Sequence, residues 1–309
     1  MFNAAWIYDL EMFKNYFCIG LYNINTKKKT RYEIYKLEDG SEVNQLPEII
    51  EFLLYCKKVN GWMIGFNNIS YDYPMLHNLI FNTIEYRSEA LDNWIKLPIE
   101  TVLYFLYWKS QELVEAKFNI NDNKTSIPEW KIYIQQIDLF KLWHYNNKAK
   151  MISLKGLEIA MRMNNVEDTP YNFDQNIDMK AIEQVRLYND NDLYATYEKY
   201  LITIGETENP IYKGQNKLAL RKELSATYGL NLMNSNDVAI GKSIVIKKLS
   251  ETLQIDMKDL KELRTWRTKV DLKDCVPDFI SYGTPQMNSI LDYYKTNTIT
   301  NKDIEDVKV

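Results

Sequence analysis

Residues 4–11, AAWIYDLE, constrain this chain more than any other stretch. They read as an apolar strand that carries two carboxylates, Asp9 and Glu11, near its exposed end. In extended backbone, residues two apart share a face, so Asp9 and Glu11 stand side by side while Leu10 turns into the core. Two carboxylates that close repel each other unless water screens them or a cation or shared proton lies between them. An isolated Asp-x-Glu on a wet edge strand fits the first explanation. The second needs more acids, delivered from elsewhere in the chain.

The chain has 309 residues, enough for a sizeable core and for two domains. With 46% hydrophobic and 26% charged residues it is ordinary globular material, which excludes a disordered tail. A net charge of −4 excludes a bulk basic coat for nucleic acid, so any nucleic acid is held locally or through bound cations. Cys18, Cys56 and Cys275 are odd in number and follow neither metal-ligand nor disulfide spacing, which points to a reducing, cytoplasmic compartment. Charge at Asp9 and Glu11 interrupts any signal-peptide core, and no long uncharged apolar run follows, so no membrane partner is expected.

Residues 16–24 and 31–37 alternate or run apolar as strands do, and with 4–11 they make an antiparallel meander. The lysine run Lys27-Lys28-Lys29 at its tip reads as a solvated turn. Leu46, Ile49, Ile50, Leu53 and Leu54 have helical spacing over 46–58, with Pro47 in the first turn. Residues 61–66 read as a short buried strand, 67–72 as a turn and 73–84 as a helix. A long helical stretch at 89–115 is interrupted at Pro98, and its Leu, Tyr and Trp stripes read as core. A further strand at 131–140 has Asp138 near its end. An amphipathic helix at 153–163 has Ser153 as N-cap, and 178–200 is the last helix of this half. The whole describes a mixed α/β sheet, an antiparallel meander plus parallel strands, flanked by helices.

Periodicity lapses at 205–214, which divides a domain at 1–204 from a mainly helical region at 205–309. That region predicts helices at 216–226, 237–250 and 256–266. It is the more basic part of the chain, through Lys213, Lys217, Arg221, Lys222, Lys242, Lys247, Lys248, Lys261, Arg264, Arg267 and Lys269. Such charges read first as a solvated helical surface and second as a DNA-facing patch.

Asp72 closes a strand–turn–helix connection, where side chains reach the open end of a sheet, although Asp is also a common helix N-cap. Tyr188 and Asp192, four apart, share a helix face, and Asp190 points elsewhere, to solvent. Asp138 reads as the cap of a short helix at 139–144. His77 and His144 have no partner pattern, and Gly241-Lys242-Ser243 lacks the preceding glycine of a phosphate loop, since Asn236 stands there.

The combination is more specific than its parts. Asp9-x-Glu11 on the first strand, Asn67-x-x-x-Tyr71-Asp72 in a strand-end turn and Tyr188-x-x-x-Asp192 on a late helix occur in that order. In this respect the chain resembles the DEDD exonuclease superfamily in its tyrosine-type branch, which includes the proofreading 3′–5′ exonuclease domains of DNA polymerases. Asp9 and Glu11 match the first motif, Asp72 the second, and Tyr188 with Asp192 the third. The histidine-type branch would have His at position 187, which is Leu187 here. Gly65-Phe66-Asn67, Ile137-Asp138-Leu139 and Ser153-Leu154-Lys155 are similar to stretches around and between those motifs. The resemblance covers roughly the first two-thirds of the chain. Residues 228–242 and 276–294 look like the segment that follows the exonuclease in phage-type DNA polymerases.

The resemblance implies an RNase H-like sheet and a site for two Mg²⁺ or Mn²⁺ ions, roughly 3.5–4 Å apart in such enzymes. Asp9 would bridge both ions, Glu11 and Asp192 would complete the first, Asp72 would serve the second through water, and Tyr188 would orient the attacking water. The implied activity is hydrolysis at single-stranded DNA 3′ ends, as proofreading in phage-type DNA replication. A polymerase domain or subunit is the implied partner, and the host cytoplasm the compartment if the gene is a phage's. Phe13, Phe66 and Tyr71 are candidate rings to stack on terminal bases, and Asn67 a hydrogen-bonding group for the strand end. Two alternatives remain at this point. One is an RNA-trimming 3′–5′ exoribonuclease, because the acids do not read the sugar. The other is a non-catalytic module that docks a separate polymerase subunit.

Overall fold

A strand that is apolar on both of its faces is one covered on both sides, and β1 (Ala5–Phe13) is such a strand, apolar except at Asp9 and Glu11. The computed structural model describes residues 2–84, 97–118, 127–166, 171–263 and 269–300. β1 pairs antiparallel with β2 (Tyr16–Asn23) along its whole length, and β2 with β3 (Lys29–Lys36), as the meander predicts. A short further strand, β4 (Glu42–Asn44), extends the meander beyond the expectation. On the other edge of β1, β5 (Trp62–Gly65) pairs in parallel through Ala5–Ile7 only, and β6 (Gln135–Asp138) pairs in parallel with β5. The mixed six-stranded order is β4-β3-β2-β1-β5-β6.

Helices cover both faces. α1 (Leu46–Lys58), α2 (Asp72–Ile84) and α3 (Ile99–Phe118) precede β6. The short α4 (Leu139–Leu142) and α5 (Leu154–Ala160) follow it, then α6 (Met179–Ile204), α7 (Lys217–Tyr228) and α8 (Asp237–Leu253). Trp6, Tyr8, Leu10 and Met12 form one face of β1 and pack with Ile49, Leu53, Leu76, Leu79, Val102 and Leu106 of α1–α3. The opposite face lies under α6 and is divided. Ala5 and Ile7 meet Leu193 and Tyr200, while Phe13 meets Ala181, Ile182 and Val185. Asp9 and Glu11 fall in the gap between these two apolar clusters. They are covered by α6 rather than placed at an exposed strand end, because β1 continues to Phe13.

Several expectations change. The strand at 131–140 shrinks to β6, since Pro128 opens a 3₁₀ turn at Glu129–Lys131. The start of the stretch at 89–115 lies outside the described residues. In its described part, α3, the core stripe is Ile99, Val102, Leu103, Leu106 and Leu113, and Tyr104, Phe105 and Trp108 are exposed rather than core. Arg221 is completely buried rather than solvated, held by the carbonyls of Ser235, Lys217 and Leu142 and by Asp237. Arg264 and Arg267 lie outside the described residues.

The chain divides into two compact units, Met1–Ser243 and Ile244–Val309. Residues 205–243 therefore belong with the sheet: Leu218 and Met233 join its core, and Asn234 Oδ1 accepts from the Asp138 amide at 2.7 Å. The irregular 205–214 stretch closes on itself, with the Gly214 amide donating to the Gly205 carbonyl at 2.9 Å. The second unit holds α9 (Met257–Glu262), α10 (Leu272–Cys275), α11 (Pro285–Thr296) and an antiparallel pair, β7 (Lys269–Asp271) with β8 (Thr298–Thr300). No helix among the described residues is long and apolar enough to cross a membrane.

Candidate metal centre

The site begins with register. Asp9 lies opposite Gly20 and Glu11 opposite Cys18. Gly20 lets α6 approach the sheet: a Cβ there would coincide with Asn189 Oδ1 and stand 2.9 Å from Leu193 Cδ1. Through that close approach Asn189 Nδ2 donates to Asp9 Oδ2 at 2.9 Å. One turn further along α6, Asp192 arrives over the same strand. Carboxylate oxygens of Asp9, Glu11 and Asp192 lie within 4.8 Å of one another, with Asp9 half-buried and the other two buried.

Asp72 comes from the other side. β1 outruns β5 beyond Ile7, which leaves its edge open there, and Asp72 Oδ1 accepts the Leu10 amide at 3.3 Å. Asp72 is held in place by the turn before it. Gly65 lies too close to Asn68 to carry a side chain, and Asn67 takes a left-handed φ of 64°. Asp138 then fastens that turn. Its carboxylate accepts from the amides of Asn67 (3.0 Å), Ile69 (3.3 Å), Phe140 (2.9 Å) and Lys141 (3.3 Å), so the expected cap of α4 also anchors the turn that leads to Asp72.

Ser153 caps α5 as expected, its Oγ accepting the Gly156 amide at 3.1 Å, and α5 delivers Lys155. Lys155 Nζ lies 3.1 Å from Asp192 Oδ1, 3.5 Å from Glu158 Oε1 and 4.4 Å from the centre of the Tyr188 ring. Tyr188 itself is half-buried beside Asp192. Behind this layer, Asn191 Nδ2 donates to Glu158 Oε1 at 3.3 Å. Two buried oxygens next to the site, Asn189 Oδ1 and Glu158 Oε2, have no hydrogen-bond partner among the described residues.

Electrostatics follow from this crowding. Burial pushes the Asp9 carboxyl well above the usual carboxylate range, and the charges of Glu11, Asp192 and Asp72 push it further, against the Asn189 hydrogen bond. Glu11 is raised for the same reasons: burial first, then Asp192 and Asp72, opposed by a hydrogen bond with Asp9 and by Lys155. Burial and the charges of Asp192, Glu11 and Asp9 raise the Tyr188 hydroxyl, so it stays neutral at any ordinary pH. Three carboxylates with neither His nor Cys among them form a hard-oxygen donor set, and they could hold a metal ion.

The site thus gathers Asp9, Glu11 and Asp192, with Asp72 and Tyr188 beside them. The aromatic candidates fare differently. Phe13 is fully buried and stacked on Phe173 at 5.0 Å between ring centres, so it offers no face to a base. Tyr71 packs against the core and its hydroxyl bonds Ser110 Oγ at 2.7 Å. Phe66 sits half-buried among Phe140 and Tyr145, and Asn67 is half-buried with its amide bound to Asp138. Asp190 does not face open solvent: it pairs with Lys29 and Arg31 of β3. Sequence reading missed Asn189 and Glu158 as part of the site, and took Lys155 only as part of a similar stretch. Its place two residues past a helix cap was the one available signal.

No family model matches this chain, and no curated protein or solved structure matches it either.

Proposed function

We propose that this chain is a metal-dependent 3′–5′ exonuclease that hydrolyses phosphodiester bonds at single-stranded DNA ends, built on an RNase H-like sheet of the tyrosine type. The observation that carries this reading is the convergence of Asp9, Glu11 and Asp192 within 4.8 Å, with Asp72 and Tyr188 alongside, from a strand, a turn and a helix far apart in sequence. Asp9, Glu11 and Asp192 would hold Mg²⁺ or Mn²⁺, with Asp72 serving a second ion. When bound, such ions acidify the attacking water and neutralise the phosphate and leaving oxygen.

The chain's own groups do the rest. Tyr188, kept protonated by burial and by its acidic neighbours, serves as a neutral hydroxyl that orients the attacking water. Lys155 balances the charge of Asp192, and its long side chain can swing toward a bound phosphate. Asn189 fixes the rotamer of Asp9. Asp72, tied to the Leu10 amide, keeps the turn and β1 at a set separation. A proofreading partner, a polymerase domain or subunit of phage type, belongs to the same reading.

The test uses single strands labelled at the 5′ or the 3′ end, with Mg²⁺, with Mn²⁺ and with chelator. Expected is a metal-dependent ladder from the 3′ end, with single nucleotides released, and no digestion under chelation. Digestion that persists in chelator, or in an Asp9→Ala, Glu11→Ala variant, would remove the proposal. A matched RNA strand digested faster than the DNA would move it to RNA trimming.

A further inference from the structure

α3 carries more exposed aromatic surface than a helix with a good core stripe has reason to carry. Its buried stripe is complete without Tyr104 and Trp108, which are 57% and 56% exposed. Tyr104, Tyr107 and Trp108, spaced i, i+3 and i+4, line one groove of about 570 Å³ whose opposite wall includes Lys14 and Asn15. Lys14 Nζ lies 5.9 Å from the Tyr107 ring centre, is exposed and has no acidic partner among the described residues. At one end Lys36 pairs with Glu100, and Asp174 accepts from the Tyr107 hydroxyl at 2.7 Å. Among the described residues the groove is therefore aromatic, nearly neutral and provided with one uncommitted cation, Lys14.

Its location matters as much as its chemistry. Lys14 follows Glu11 by three residues, roughly 10 Å of extended chain. Ser110 of the same helix bonds Tyr71, the neighbour of Asp72. One wall of the groove is thus three residues from Glu11, and the other belongs to the helix that touches the turn before Asp72.

We infer that this groove is the track for unpaired DNA: bases stack on Tyr104, Tyr107 and Trp108 while Lys14 meets a phosphate. The inference rests on the nuclease reading for its substrate but assigns residues that reading does not use. A single strand fits better than a duplex, because only unpaired bases offer faces to rings. What favours a strand end over a protein ligand is the nearness of the groove to the acids, since ring-lined walls alone would suit either.

Binding of a 5′-labelled single-stranded 12-mer is measured by fluorescence anisotropy in chelator, so that no turnover is required. Tyr104→Ala, Trp108→Ala is expected to weaken binding about tenfold or more, and Trp108→Phe, which keeps a ring, to restore most of it for the Trp108→Ala variant. Affinity should fall only shallowly with salt. Lys14→Gln should flatten the slope by about 0.7, the contribution of one phosphate on a single strand. Unchanged binding in the double variant, or equal binding of a duplex 12-mer, overturns the track. The two ideas fail separately. Wild-type protein that binds through the groove but digests nothing with metal defeats the nuclease reading and leaves the track standing. Protein that digests, with binding indifferent to Tyr104 and Trp108, does the reverse.

Discussion

Asp138 and the group of Asp9, Glu11 and Asp192 are buried acids served by one sheet, and the chain surrounds them in opposite ways. Asp138 is fully buried, but four backbone amides point at it, and those hydrogen bonds oppose the upward push of burial on its carboxyl. Around the three clustered acids, Asn189 donates to Asp9 and Lys155 pairs with Asp192, while burial and the neighbouring carboxylates raise Asp9 and Glu11. A carboxylate whose lone pairs are filled by backbone is a fastener. Carboxylates buried against each other are a cost to the fold, and such costs persist where a function uses them. The contrast marks Asp138 as a structural acid and Asp9, Glu11 and Asp192 as the candidates for a function.

The largest expected effect sits on the clustered side. Asp9→Ala with Glu11→Ala should reduce metal-dependent digestion roughly a thousandfold or more, about 4 kcal/mol of barrier, while circular dichroism stays native. Comparable digestion by this variant and the wild type would erase the distinction. Next comes the fastener. Asp138→Ala leaves four amides without their acceptor and should cost about 3–5 kcal/mol in urea unfolding, lowering activity chiefly through loss of folded protein and, in the folded fraction, only as far as the turn before Asp72 shifts. A stability loss under about 1 kcal/mol would show that water replaces the carboxylate easily.

Third, saturating Mg²⁺ or Mn²⁺ should stabilise the wild type by about 2–3 kcal/mol at a hundred times the dissociation constant. An Asp9→Asn, Glu11→Gln variant should gain nothing, and the Asp138→Ala variant should gain as much as the wild type. Differential scanning fluorimetry reads all three.

The smallest effect concerns pH and works through sign. Asp9 and Glu11 have folded-state pKa values raised above their unfolded ones, so the folded chain holds protons that the unfolded chain releases. Their contribution is favourable below the ordinary carboxylate range and is lost as pH rises from that range through the raised values. In chelator, then, the stability of the wild type should decline with rising pH over that window. The Asp9→Asn, Glu11→Gln variant should decline less and be more stable at neutral pH, by on the order of 1 kcal/mol. A wild-type curve that rises with pH as steeply as the variant's would contradict the crowded-acid account.

Much of this arrangement was legible because it depends on local rules. The two-residue period placed Asp9 and Glu11 together, the four-residue period aligned Tyr188 with Asp192, and the cap chemistry of Ser153 and Asp138 marked helix starts. What escaped depends on partners distant in sequence. Asp190 is neutralised by Lys29 and Arg31 on a strand about 160 positions away, and Arg221 is buried against carbonyls of two other segments, at Ser235 and Leu142. Phe13 follows the same alternation as Glu11, but only the packing of 171–185 closes its face. The aromatics of α3 misled because ring content suggests burial, whereas the phase of Ile99, Val102, Leu106 and Leu113 decides which side faces in.

Gly20 bears no reactive atom, and yet it governs how far apart the reactive ones are. Since even a methyl group there would strike the side chains of Asn189 and Leu193, any larger residue must push the Asn189 amide off Asp9 or lift α6, with Asp192 and Tyr188, away from the sheet. An alanine at that point would leave every acid chemically intact and still open the grip on a cation, a defect of spacing rather than of chemistry.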